Sequence, residues 1–288
     1  MPVRVPFLLK RRMKQETPLI APGGNAIDAS AEGALAGDEP WGGRVLSVHP
    51  LASNILRADG LAVSVVADRA AMSAMGVLAP DLFQTPPDVE LVDMAVRMEH
   101  RIISFGTIAS VDCTQCPAWE GLVNAAAVRL VPTGQIHSIR EALLGYGKPG
   151  GLLGILRNDP TGNSFVKYAR KSLRDGRPEE LVGCGPGLTP AGDDFLTGAI
   201  LASVRSEGLS LARLERALPG TTPLGRTLLW AALQGRFPAY LLEFIDAIIG
   251  AAVSPDVLRS SVHAACAYGE TSGTDALTGF CWQRLKSG

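Results

Sequence analysis

The sequence predicts an α+β protein: a β-rich N-terminal half, folded as an antiparallel sheet or small barrel, followed by an α-helical bundle. Three observations carry this. Short Val-rich runs bounded by Pro, Asp and Gly cluster in the front half. Apolar residues recur three and four apart in a series of segments behind residue 133. The two textures do not alternate, so parallel βαβ units are not expected.

Residues 1–42 are weakly patterned. Ala21-Pro-Gly-Gly-Asn25 and Gly37-Asp-Glu-Pro-Trp-Gly-Gly43 are turn-rich, and 25–35 between them reads as a short Ala-rich helix. A β-rich domain is expected over 43–132. Its strands are read at 44–48, 61–66, 89–94, 101–105 and 108–113, with 93–99 open to a helical reading. A helical domain is expected over 133–288. Its helices are read at 136–144, 163–175, 192–207, 209–218, 222–234, 239–251, 255–267 and 272–285. The glycine-rich break Gly145-Tyr-Gly-Lys-Pro-Gly-Gly151 follows the first of them.

Composition narrows the function classes. The chain has 288 residues, 47% of them hydrophobic, so it can bury a full core. Charged residues make up 19% and the formal net charge is −1, which argues against a basic nucleic-acid face. No apolar run reaches the roughly 18–20 residues of a membrane helix. The first twelve residues lack the pattern of a signal peptide. A soluble, cytoplasmic protein is expected. The five cysteines are odd in number, which disfavours a disulfide framework. Cys113-Thr-Gln-Cys116 has metal-knuckle spacing but no second pair, so reduced structural thiols are expected.

The longest motif is Gly183-Cys-Gly-Pro-Gly-Leu-Thr-Pro-Ala-Gly-Asp-Asp-Phe-Leu-Thr-Gly198, a glycine-rich loop opening a helix. Alternating glycines permit positive φ and close approach of a ligand. Thr189 reads as the helix N-cap and Pro190 as its first residue. Asp193 and Asp194 then fall in the first turn, where free N–H groups favour anions. Two readings stand. The loop cradles an anion itself, or the aspartates hold Mg²⁺ that holds the anion. Adjacent helical residues point about 100° apart, so the two acids cannot serve one site equally. Neither a Walker loop nor a dinucleotide fingerprint is present, and no nucleotide or organic cofactor is expected. No GxSxG elbow is present either.

Ala191-Gly-Asp-Asp-Phe-Leu-Thr-Gly198 recurs as Ser272-Gly-Thr-Asp-Ala-Leu-Thr-Gly279, so Asp194 corresponds to Asp275. The expectation is that two helix starts sit side by side, with Asp194 and Asp275 converging on one ligand or ion. The candidate catalytic residues are Asp194, Asp193 and Asp275. The candidate ligand-binding residues are Gly185, Gly187, Thr189, Gly192, Thr271, Ser272 and Gly273. The candidate metal ligands are Asp194 and Asp275. His263, Lys148, Arg226 and Asn54 are weaker candidates, each more commonly a structural or surface residue.

The two segments, Gly185 to Gly198 and Gly269-Glu-Thr-Ser-Gly-Thr-Asp-Ala-Leu-Thr-Gly279, resemble the signatures of a bacterial domain-of-unknown-function family. That family includes a subunit of the oxamate carbamoyltransferase of anaerobic allantoin degradation. The likeness extends loosely to Val48-His-Pro-Leu-Ala-Ser-Asn54. The resemblance implies carbamoyl transfer between phosphate and an oxamate-like acceptor, within a complex of other subunits. A small anionic substrate is the implied partner, and because bare aspartates would repel it, Mg²⁺ between them is expected. The alternatives are a metal-dependent hydrolase using Asp193 or Asp194 as general base, and a non-catalytic metabolite-binding or scaffold subunit.

Overall fold

The computed structural model describes residues 26–28, 31–33, 39–83, 91–157, 163–203, 209–250 and 253–286. The protein is α+β, a curled mixed sheet shaped as a half-barrel followed by helices. The strands in chain order are β1 (Ala26–Asp28), β2 (Ala31–Gly33), β3 (Trp41–His49), β4 (Ala52–Arg57) and β5 (Ala62–Val66). They continue as β6 (Gly76–Leu78), β7 (Ala95–Glu99), β8 (Ile102–Phe105), β9 (Ala109–Asp112) and β10 (Ala118–Trp119). Their order across the sheet is β1-β9-β8-β7-β3-β4-β5-β6-β2-β10.

The centre of the sheet is antiparallel: β3–β4–β5 and β7–β8–β9 are runs joined by short turns, and the non-consecutive β3 and β7 pair to unite them. Parallel pairs enter only at β5–β6 and at the edges, where β1 joins β9 and β10 joins β2. The helix expected over 25–35 is instead two three-residue strands, because this Ala-rich stretch pairs with sheet edges that only the folded chain supplies. Of the strand expected at 89–94, positions 89–90 lie outside the described residues, and 91–94 is a turn rather than strand, with β7 beginning only at Ala95. The segment 93–99, open to a helical reading, is therefore strand from Ala95 onward. It turns into β8 through His100 and Arg101, both at positive φ (52° and 62°), the geometry of a two-residue hairpin turn. Val45, Ile55, Val63, Val65, Met98 and Ile103 build the core of the half-barrel. Cys113 and Cys116 are buried there too, and Cys116 Sγ donates to the Cys113 carbonyl at 3.2 Å.

The helices are α1 (Ala125–Arg129), α2 (Thr133–Tyr146), α3 (Ser164–Arg174), α4 (Ala191–Ala202), α5 (Leu211–Ala217), α6 (Pro223–Leu233), α7 (Ala239–Ile248), α8 (Pro255–Ala267) and α9 (Ser272–Lys286). Side-chain caps start several of them. Asn163 accepts from Val166 N–H, Thr222 from Gly225 N–H and Ser254 from Val257 N–H. α4 and α9 form the centre of the bundle and are buried along almost their whole length. Such helices lack a polar face, which is why their periodicity reads weakly in the sequence. No helix among the described residues is long and apolar enough to cross a membrane.

The half-barrel docks on the bundle through specific contacts. Ala62 N–H donates to Thr227 Oγ1 at 2.8 Å, and Ala239 N–H to the Met72 carbonyl at 2.9 Å. A cleft of about 1200 Å³ remains between the two.

Candidate functional site

α4 and α9 cross where their small residues meet. A Cβ on Gly198 would overlap the Ala276 carbonyl oxygen, and one on Gly279 would overlap the Phe195 carbonyl oxygen. Each helix start also packs on its own preceding segment. Gly192 lies against the Leu181 carbonyl and Gly273 against the Ala265 carbonyl, with no room for a side chain at either. Thr197 Oγ1 donates to the Asp193 carbonyl at 2.9 Å, and Thr278 Oγ1 to the Thr274 carbonyl at 2.8 Å. The sequence repeat is therefore a geometric one, and its two copies face each other.

This crossing brings Asp194 and Asp275 together under the cleft. Asp194 is 2% exposed and Asp275 is fully buried. Burial pushes the Asp194 carboxyl well above the usual carboxylate range, and the neighbouring Asp275 charge raises it further. The Ser272 and Thr189 hydroxyls pull it back. Burial lifts Asp275 to about 6, against the Leu152 N–H and the Thr271 hydroxyl. Leu152 N–H donates to Asp275 Oδ1 at 2.6 Å. One oxygen of each acid, Oδ2 in both, is buried without a hydrogen-bond partner. Buried polar atoms are normally paired, and two orphans side by side make this pair the candidate site.

Asp193 faces elsewhere. Its Oδ1 accepts from Gly183 N–H at 2.8 Å and its Oδ2 from the Thr221 hydroxyl, tying the loop to the start of α6. Its carboxyl, raised to about 6 by burial, sits where a side chain on Gly225 would lie.

Of the candidate ligand-binding residues, Gly187, Thr189, Thr271 and Ser272 line the cleft with Asp194. Gly185 instead lines a small groove on the other side of the loop, with Tyr168 and Cys184. Gly192 and Gly273 serve the packing just described. Thr189 is not the N-cap of α4. Pro190 occupies that position and, having no side-chain acceptor, makes no cap, while the Thr189 side chain turns toward Ser272 (Oγ1 to Oγ, 3.4 Å) and Asp194.

The weaker candidates separate. Lys148 does not reach into the cleft. Its ammonium donates to the Ala267 and Gly269 carbonyls at 2.8 and 2.6 Å, closing the C-terminus of α8. Arg226 lies against Gly60, away from the cleft. His263 is exposed and packs edge-on against Tyr146, ring centroids 5.1 Å apart. Asn54 is buried mid-strand in β4 and lines the cleft on the sheet side.

Several site residues are absent from the sequence-based set. Gly151 is one: the Asp275 carboxylate occupies the space its side chain would need. The Gly150-Gly151 doublet was the available signal. Tyr240 and Tyr268 are others. They stack at 4.1 Å between centroids with a 14° interplanar angle and line the cleft beside Asp194. Burial and the Asp194 charge push Tyr240 well above its ordinary value and Tyr268 to about 12. Nothing in their spacing points to a stack.

Among the described residues no group of three or more His, Cys, Asp or Glu side chains gathers as a metal site. No solved structure matches the chain. Residues 181–283, the stretch that builds both helix starts, match the family model of the oxamate carbamoyltransferase subunit AllH, the family whose signatures the two motifs resemble.

Proposed function

We propose that the chain is a carbamoyltransferase-related subunit whose cleft binds a small carbamoyl compound over the Asp194–Asp275 pair. One observation carries the reading: two buried carboxyls at facing helix starts, each with an unpartnered oxygen, with Asp194 at the surface of the cleft. A single proton shared by the pair would satisfy both oxygens, and two carboxylates this desolvated do not both ionise readily. On binding, that proton turns from the partner carboxylate to the carbamoyl carbonyl, and the carbamoyl NH₂ donates to the oxygen it leaves. As charge develops on the carbonyl oxygen during transfer, the hydrogen bond to it strengthens. Other subunits of a carbamoyltransferase are the proposed protein partners, by analogy with the matched family.

A second reading places Mg²⁺ between the two orphan oxygens. Two carboxylates are enough for Mg²⁺ where waters or substrate complete its shell. The proton is preferred because, among the described residues, no third His, Cys, Asp or Glu side chain joins the pair to complete a metal site.

The test is calorimetric titration of the protein with oxamate and with carbamoyl phosphate, each with Mg²⁺ and with EDTA. Metal-independent binding that disappears in Asp194→Asn supports the proton reading. Binding only with Mg²⁺ supports the metal. Absence of binding by either compound at millimolar concentration overturns the carbamoyl assignment.

A further inference from the structure

The wall of the cleft opposite the acid pair is the face of the half-barrel. It is apolar over Ala52, Ala62, Val66 and Met75. A polar row crosses β3, β4 and β5 there, with Asn54 and Ser64 lining the cleft. Ser47, Asn54 and Ser64 are direct cross-strand partners on β3, β4 and β5. The β3–β4 register shifts between Val45 and Ser47, and this irregularity is what sets Ser47 opposite Asn54. Bulges of this kind re-aim side chains and are common beside active sites. Asn54 Nδ2 donates to Ser47 Oγ at 2.9 Å, and Ser64 Oγ donates to Asn54 Oδ1 at 2.7 Å. His49 Nε2 lies 3.2 Å from Ser47 Oγ and extends the row to the mouth of the cleft.

The row leaves capacity unspent. A carboxamide has two N–H donors and two acceptor lone pairs. Asn54 uses one donor and one acceptor within the row. One N–H and one lone pair remain, and this count is the same if the amide oxygen and nitrogen are exchanged, because both serine hydroxyls can donate or accept. Asn54 is only 4% exposed and borders the cleft, so its remaining donor and acceptor have little water to meet. A donor and an acceptor side by side, without a charge, complement the edge of another amide.

We infer that the Ser47–Asn54–Ser64 row is a second amide-reading subsite, which holds a primary carboxamide on the sheet wall while the acid pair holds the carbamoyl group on the helix wall. The inference rests on the carbamoyl reading of the cleft. It goes beyond that reading in assigning the facing wall and the group it recognises. A cleft of about 1200 Å³ has room for two small compounds, which individually are on the order of 100 Å³ given about 30 Å³ for one water. The uncharged row also discriminates: it offers no ammonium or guanidinium to a carboxylate or phosphate.

Oxamate and oxalate differ by one amide in place of one carboxylate, and because the acid pair also favours the amide, it is the change in their ratio on substituting the row that reads this subsite. The wild-type protein is expected to bind oxamate at least about tenfold more tightly than oxalate, since a site built for an N–H rejects a ligand that lacks it. Ser64→Ala and Asn54→Asp are each expected to bring the ratio toward one without loss of the folded state, checked by melting. A purely structural row would leave the ratio unchanged, so an unchanged ratio in either folded variant overturns the inference while the carbamoyl reading stands. Should Asn54→Asp fail to fold, Ser64→Ala alone decides, because it removes one hydroxyl from a half-buried position. If the wild type binds neither oxamate nor carbamoyl phosphate, the carbamoyl reading falls and this inference with it.

Discussion

Gly198 and Gly279 hold each other's helix: the first leaves room for the carbonyl of Ala276, the second for the carbonyl of Phe195, and Gly198 and Phe195 each lie 81 residues before their counterparts Gly279 and Ala276. The contact is reciprocal, as at a two-fold interface between identical subunits. Here one chain supplies both halves. The crossing fixes where Asp194 and Asp275 lie, because each sits one turn before its glycine.

Gly198→Ala and Gly279→Ala are therefore expected to destabilise strongly. An added methyl overlaps backbone, which cannot rotate away as a side chain can. Overpacking costs about 1–3 kcal/mol, occasionally more, and these sites belong at the upper end. The double variant should cost less than the sum of the singles, because the first substitution already separates the helices. Urea denaturation of all three variants measures this. Fully additive costs would show that the two glycines act independently.

The acid pair sets a pH dependence with a definite sign. The Asp275 carboxyl is lifted from 3.8 to about 6 and Asp194 further, so the folded state holds protons that the unfolded state releases. Stability from these groups is fully present below about pH 4 and is lost as pH rises through 6 and above. For Asp275 alone a shift of that size corresponds to about 3 kcal/mol. The wild type should gain stability relative to the Asp194→Asn/Asp275→Asn variant as pH falls from 7.5 to 5. Parallel melting curves for the two proteins over that range would rule out the buried pair as the source.

Lys148 predicts an effect at a distance. Its ammonium closes the end of α8, and its backbone N–H donates to Thr274 Oγ1 at 3.0 Å. Both contacts hold the segment that delivers Leu152 N–H to Asp275. Lys148→Met removes only the ammonium, at a cost of about 1–2 kcal/mol for hydrogen bonds from a charged group. Hydrogen exchange should show faster exchange at Leu152 than in the wild type, with α4 unchanged. Equal protection at Leu152 would mean the loop is held without the lysine.

The sequence made the two helix starts legible because glycine, threonine and aspartate recur in order, and each has a steric or hydrogen-bonding task that tolerates few alternatives. Asp194 and Asp275 were visible for that reason. The stacked Tyr240 and Tyr268 were not, since an aromatic at a helix end is compatible with many environments. The polar row on the sheet was half visible: Asn54 stood out in Val48-His-Pro-Leu-Ala-Ser-Asn54, but its partners come from two other strands and a register shift. The edge strands at 26–28 and 31–33 depend on β9, β6 and β10, which lie far along the chain. Local composition carries no trace of such partners.

Asp193 provides the sharpest contrast with its neighbour. It accepts from Gly183 N–H and the Thr221 hydroxyl and does not border the cleft. Asp193→Ala removes both acceptors and leaves the Gly183 N–H and the Thr221 hydroxyl without their partner. The expected result is a loss of about 1–3 kcal/mol in stability, the usual cost of a buried hydrogen-bonding group left unmatched. The affinity of the folded protein for oxamate should stay within a few fold of wild type. Asp194→Asn should do the reverse, losing affinity with stability retained or raised, since it removes a carboxyl that burial already disfavours as a charge. Melting and calorimetric titration on the same two variants give four values. A loss of affinity in Asp193→Ala as large as in Asp194→Asn would mean that the loop and the acid pair form one binding unit, and that the helix phase separating the two side chains does not separate their roles.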